Sequence, residues 1–308
     1  MLWKRAIKTA VIISLLISAV LYVFTDHIGP YMLLQPQRIV ATEMPEAFLH
    51  GIDPADFDLN YEAFSVVSFD NVKMTGYHIR SGQPSARGTI ILLHGVGGCK
   101  EHMLPLAARL SSWGFNTIIF DQRAHALNDA QYCTYGFYER KDVSVIIDHL
   151  LLQDSDQKIG IWGNSMGGAI ALLSLSSDPR ISAGVVESTF ADFHQVVFGY
   201  QKRLFGLPSA FISNRVIKNA GELAEFDPKV IKPVEAAKQI TQPVFIAHGT
   251  ADQHIPFEHG NAIFENLSSP QKRFFPVQGA GHYDLWKKAG ETYETSIKRF
   301  LFEHFPTK

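Results

Sequence analysis

The chain has 308 residues, of which 46% are hydrophobic and 19% charged, and carries a formal net charge of −2. A near-neutral chain with no basic stripe offers no electrostatic case for nucleic acid. Its length suits one large domain or two small ones, and no internal repeat or low-complexity tract divides it.

In chain order, Lys4, Arg5 and Lys8 precede an uncharged run rich in Val, Ile and Leu over residues 9–25. At ~1.5 Å per residue this run spans ~25 Å, at the short end for a membrane helix. The alternatives are a cleaved signal peptide and a soluble packing helix. The apolar region of a signal peptide is usually shorter, ~7–15 residues, and no A-x-A site follows here. An uncleaved anchor is therefore expected, and the positive flank predicts that everything beyond Thr25 is extracytoplasmic. Residues 1–27 read as the anchor, 28–60 as a Pro-punctuated connector, and 61–308 as the main domain.

Residues 63–69 and 72–79 read as two strands joined by an Asp70-Asn71 hairpin turn. Continuous apolar runs at 89–93 and 116–120 predict strands buried on both faces. Helices are expected over 101–113 and 138–152, the second from apolar residues at helical spacing. A strand at 158–162, a helix from 168 and a strand at 181–186 follow. Residues 190–233 break this rhythm and read as an aromatic-rich helical insertion. Strands at 243–247 and 273–277 and a helix over 282–302 complete the chain. Such alternation predicts a mostly parallel sheet covered on both faces, with ligands at the carboxyl ends of its strands.

The most informative motif is Gly163-Asn164-Ser165-Met166-Gly167, a G-x-S-x-G set between a strand and a helix. A serine at such a turn is lifted above the sheet edge in a strained backbone conformation. Later loops, each just past a strand, carry Asp252 in His248-Gly249-Thr250-Ala251-Asp252 and His282 in Gly279-Ala280-Gly281-His282. Taken singly, these residues read as a turn, a loop cap and a helix cap. Together, in the order Ser…Asp…His and at strand ends, they predict a nucleophile, an orienting carboxylate and a general base. The backbone N–H groups of Met166 and of Val96, in His94-Gly95-Val96-Gly97-Gly98, are the expected oxyanion donors, with Gly97 as the alternative to Val96.

With these motifs the chain resembles the α/β-hydrolase superfamily over about residues 60–305. Within it, it is similar to the serine-aminopeptidase and monoacylglycerol-lipase-like group, especially bacterial members with an N-terminal anchor. Phe120-Asp121-Gln122-Arg123-Ala124-His125 matches that group's segment after the fourth strand, with Ala126 where a glycine is common. The resemblance implies an α/β-hydrolase fold with the insertion as a small cap. In that fold the strands preceding Cys99 and Cys133 are adjacent, and a disulfide pinning the oxyanion loop is weighed against two free thiols.

Other polar residues receive plainer readings. His248, Asp252, His254 and His259 lack a recognised metal-ligand spacing. No metal is expected, and no organic cofactor, since the chain has neither a P-loop nor a G-x-G-x-x-G after its first strand. Glu187 and Asp192 are expected to be solvated loop charges, and Arg123, His125 and Glu139 polar ties between loops. The leading functional expectation is a membrane-anchored serine hydrolase acting on a small-molecule or lipid-like acyl substrate. A peptidase of the same fold and a non-catalytic, membrane-tethered binding protein are the alternatives.

Overall fold

A computed structural model describes residues 2–44, 46, 48, 51–206 and 208–307. Among them are eight strands: β1 (Tyr61–Val67), β2 (Lys73–Ile79), β3 (Thr89–Leu93), β4 (Asn116–Phe120), β5 (Ile159–Asn164), β6 (Ile181–Glu187), β7 (Val244–Gly249) and β8 (Lys272–Val277). They form one sheet in the order β1-β2-β4-β3-β5-β6-β7-β8. β2 pairs antiparallel with β1 and with β4, and every other pairing is parallel. The predicted hairpin turn is present, with Ser68 N–H donating to Val72 O at 2.8 Å and Asn71 at φ 68°.

The apolar runs are strands because helices cover both faces of the sheet. Ile91, Leu93, Ile161 and Ile246 face α4 (Glu139–Gln153), α5 (Met166–Ser177), α8 (Pro233–Ala237) and α9 (Phe257–Asn266). Their neighbours Ile90, Leu92, Trp162 and Phe245 face α3 (Leu104–Ser112) and α10 (Leu285–His304). Helix α9 lies in a stretch the sequence reading left without an element. The last helix begins three residues later than expected, because residues 279–284 form a turn in which Gly281 N–H donates to Asp284 Oδ1 at 2.6 Å.

The N-terminal helix is longer than its uncharged run. α1 (Leu2–Val23) passes through a π turn (Phe24–Ile28) into α2 (Gly29–Leu34), giving a helix long and apolar enough to cross a bilayer. Side chains 3–23 are all exposed, whereas Leu34 is fully buried. The expected connector therefore starts as a helix docked on the insertion. The insertion folds into α6 (Phe193–Phe205) and α7 (Ala210–Leu223), and Leu34 shares a third core with Phe190, Phe193, Ile217 and Ile255. Beyond it, Arg38 donates to the carbonyls of Ala126, Asn128 and Ala130, stitching this segment to the loop after β4.

Buried polar ties hold the sheet edge. The Arg123 guanidinium bonds both oxygens of Asp142 on α4 and both of Asp70 in the hairpin, at 2.6–2.8 Å. Glu139 accepts from Thr134 N, Thr134 Oγ1 and Gly136 N, each at 2.7 Å. On β2, burial first and the Arg80 charge second push the His78 imidazole down to about 4. The unfolded chain therefore takes up a proton there that the folded chain refuses. His78 takes nothing from stability above the ordinary imidazole value of 6.5 and progressively lowers it as pH falls towards 4. Thermal unfolding followed from pH 7 to pH 4 is expected to show a falling midpoint, with a shallower fall in His78→Leu.

Candidate active site

The turn from β5 to α5 places Ser165 at φ 54°, ψ −120°. Its N–H donates to Glu187 O at 2.8 Å, and its carbonyl accepts from Thr189 Oγ1 at 2.7 Å. The flanking glycines are dictated by space. A Cβ on Gly163 would lie 2.1 Å from Gly167 O, and one on Gly167 would lie 2.2 Å from Leu93 O. The turn closes only where helix and strand backbones touch.

The structure brings Ser165, His282 and Asp252 together from three loops. His282 Nε2 lies 3.0 Å from Ser165 Oγ, and His282 Nδ1 lies 2.7 Å from Asp252 Oδ2. Asp252 Oδ1 accepts from the backbone N–H groups of His254 and Ile255 at 2.8 and 2.9 Å. Burial drives this carboxyl upward, but bonds from His248 and His282 outweigh it and hold the group well below the usual carboxylate range. His248 Nε2 lies 3.5 Å from Asp252 Oδ2 but 2.8 Å from Ile255 O, so its proton goes chiefly to the carbonyl. The His254 ring stacks on His282 with centroids 5.2 Å apart, and His259 accepts from Ala191 N.

Met166 and Val96 both border the cavity above Ser165. Among the described residues no acceptor is assigned to either N–H. Two ties at strand ends shape the Val96 loop, and the sequence reading missed both. Gln122 donates from its N–H to His94 Nε2 at 3.2 Å and from Nε2 to His94 O at 2.8 Å. Asp121 accepts from Lys100 N and from Lys100 Nζ, both at 2.9 Å. The available signal was polar residues directly following two buried apolar runs.

One open alternative is decided and one expectation is corrected. Cys99 and Cys133 are buried free thiols in separate surroundings. Cys99 caps the turn before α3 and donates to His102 Nδ1, while Cys133 packs on Met166 and bonds Leu34 O through its N–H. The long loop after β4 docks on the N-terminal segment, which takes Cys133 to a different set of neighbours. Burial pushes the Cys99 thiol up to about 12. Glu187 is not a solvated charge either. It is buried and accepts from Trp162 Nε1, Trp286 Nε1 and Tyr293 Oη at 2.9, 3.0 and 2.5 Å. Asp192 is a helix cap, accepting from Gln195 N at 3.1 Å.

The cavity holds about 310 Å³ and is lined by the N-terminal segment, the Val96 loop, α6 and α7, with no charged residue in its described lining. Aromatic and aliphatic side chains of α6 and aliphatic ones of α7 therefore line the space above the serine.

A family model described as serine aminopeptidase, S33, matches residues 84–236, a span that includes Ser165 but neither Asp252 nor His282. The uncharacterized protein YqkD of Bacillus subtilis is 26% identical, covering 82% of this chain and 83% of its own length. The α/β-hydrolase domain-containing protein WAV2 of Arabidopsis thaliana is also 26% identical, over 84% of each chain. Among solved structures, the Pyrococcus furiosus esterase Pf2001 superposes with a TM-score of 0.72 at 24% identity, covering 89% of this chain and 98% of its own. The acylaminoacyl peptidase of Pyrococcus horikoshii superposes at 0.63 with 16% identity, over 80% of this chain and 42% of its own. The chain has the α/β-hydrolase fold, and the family model and these relatives support the α/β-hydrolase superfamily. An esterase and a peptidase are among the solved structures that share this fold, which supports a hydrolase.

Gly167→Ala is expected to cost the ~1–3 kcal/mol of unfolding free energy typical of overpacking, read in urea unfolding as a lower midpoint. Gly199→Ala, in helix α6 with nothing within 4 Å of its Cβ, serves as a neutral or slightly stabilised control.

Proposed function

We propose that this protein is a membrane-anchored serine hydrolase that cleaves esters of apolar acyl groups through an acyl-enzyme on Ser165. The observation that carries the reading is the hydrogen-bonded chain Ser165 Oγ–His282–Asp252 at the floor of an uncharged apolar cavity. A serine hydroxyl is a weak nucleophile near neutral pH, so His282 takes its proton as Oγ attacks the acyl carbon. The resulting imidazolium is stabilised by the Asp252 carboxylate and then protonates the leaving alcohol. Water attacks the acyl-enzyme by the same route, with His282 again as base. The N–H groups of Met166 and Val96 receive the oxyanion, Met166 with the added field of the α5 N-terminus.

The uncharged lining favours an apolar acyl group over a peptide terminus, for which a charged partner is required. The long N-terminal helix is the anchor in this reading, and the catalytic domain lies on the extracytoplasmic side. Continuation of that helix into the cap core favours retention over cleavage, since Leu34 and its neighbours belong to the folded domain.

Labelling by a fluorophosphonate and hydrolysis of p-nitrophenyl esters from acetate to palmitate test the reading. Wild type is expected to react and turn over, Ser165→Ala to lose both, and Asp252→Asn to fall on the order of 10⁴-fold in kcat. Hydrolysis retained by Ser165→Ala would remove the nucleophile assignment. A wild type inert to both reagents would favour a binding role.

A further inference from the structure

Glu187 closes β6 and is buried, yet it has no part in the acid–base chemistry above. Its backbone carbonyl holds the N–H of Ser165 at 2.8 Å. Its carboxylate takes Trp162 Nε1 on Oε2, and takes Trp286 Nε1 and Tyr293 Oη on Oε1. Trp162 lies on β5 shortly before Ser165, and Trp286 lies on α10 shortly after His282. The carboxylate thus bonds the strand that carries the nucleophile to the helix that follows the base. Among the described residues, one other hydrogen bond joins residues 159–189 to residues 279–304, and it is the Ser165–His282 contact itself.

Asp252 and His282 sit on loops that are fastened to each other. Ala251 N–H donates to Ala280 O at 2.9 Å, and Gly279 N–H donates to Thr250 Oγ1 at 2.8 Å. The seat of this pair relative to Ser165 therefore depends on where the first turns of α10 lie. On a straight helix Trp286 and Tyr293 would be ~10.5 Å apart along the axis. A kink at Gly290, with φ 51° and ψ −134°, lies between them, and both donors reach one oxygen. The donor set also demands a carboxylate. An indole N–H only donates, and the two indoles occupy different oxygens. A glutamine here would turn its NH2 group on one of them. No residue of this cluster lines the cavity above Ser165.

We propose that Glu187 is a positioning residue for His282, setting the reach of Nε2 to Ser165 Oγ through Trp286 and Tyr293. The assignment rests on the serine-hydrolase reading above. Loss of the carboxylate misplaces the base without touching the acyl pocket, so it acts on kcat and spares KM. A displacement of ~1 Å at a reacting group costs on the order of 10²-fold in rate.

The test uses full-length protein in detergent, p-nitrophenyl butyrate as substrate, and fluorophosphonate to count active sites. Glu187→Gln is expected to lower kcat per site about 10–100-fold and to leave KM within about twofold. Adding Trp162→Phe removes the indole that the amide NH2 group opposes. The double variant is expected to recover kcat about fivefold or more, although the smaller ring lowers its unfolding midpoint. A merely structural role predicts the reverse, a double variant both less stable and slower. In crystals of Glu187→Gln the Ser165–His282 separation is expected to exceed about 3.5 Å while Asp252 keeps its bond to His282. If Glu187→Gln does not fold, Trp286→Phe leaves the carboxylate its other two donors and replaces it in both measurements. That variant is expected to lower kcat about three- to tenfold with the same lengthening. An unchanged kcat, a double variant slower than Glu187→Gln, or an unlengthened Ser165–His282 separation overturns the positioning role. A wild type inert to the ester and to fluorophosphonate removes the hydrolase reading, and the crystals still decide the link.

Discussion

Ser165 occupies a backbone region that an L-residue enters at a cost of about 1–3 kcal/mol, and the surrounding structure leaves it no alternative. Its N–H is bonded to β6 and its carbonyl to Thr189, so relaxing the turn would break bonds on both sides. Helix α5 cannot retreat, because residues from Met166 to Leu175 are all buried among the sheet and its covering helices. Burial of that helix offsets the strain. The same packing that stabilises the centre of the molecule thus keeps one hydroxyl raised at the sheet edge.

The last residue of β6 couples this turn to the histidine. The Glu187 carbonyl holds Ser165 N–H, while its side chain accepts from Trp286 and Tyr293 on α10, the helix that follows the His282 loop. A buried carboxylate is tolerated there because three donors surround it. The distance between Oγ and the imidazole is therefore set by a rigid connection through the sheet rather than by the loops alone. Asp252 is fixed separately, by two backbone N–H groups on the oxygen that His282 does not use.

The sheet and the residues around Ser165 were legible because each left a local mark. Apolar runs of five residues encode doubly buried strands, and the residue just past such a run lies at the strand's carboxyl end by construction. Chain order then gathers Ser165, Asp252 and His282 at one edge without knowledge of any long-range contact. The misread residues depend on contacts that no spacing records. Glu187 looks like a loop charge until Trp162 on β5 and, from about a hundred residues away, Trp286 and Tyr293 on α10 bring two indoles and a phenol to it. Cys133 looks available to Cys99 until the loop after β4 bonds Leu34. The sequence marked the apolar helix but not that its end docks on α7, since Asp26 and Arg215 carry no pattern linking them.

That docking changes what the N-terminal segment is. A tether needs only length and flexibility, and a polar linker supplies both. Here the helix runs without a linker into the domain, buries Leu34 in the core of the cap, and crosses α7 at a glycine that permits backbone approach. Such a junction transmits orientation: tilting the helix would break the Asp26–Arg215 pair and open the third core. The cap is consequently held from two sides, by α5, whose Ala169 and Leu173 share the third core with Phe190 and Ile231, and by the N-terminal helix through Val216 and Ile217. A cap so held is a wall rather than a free lid.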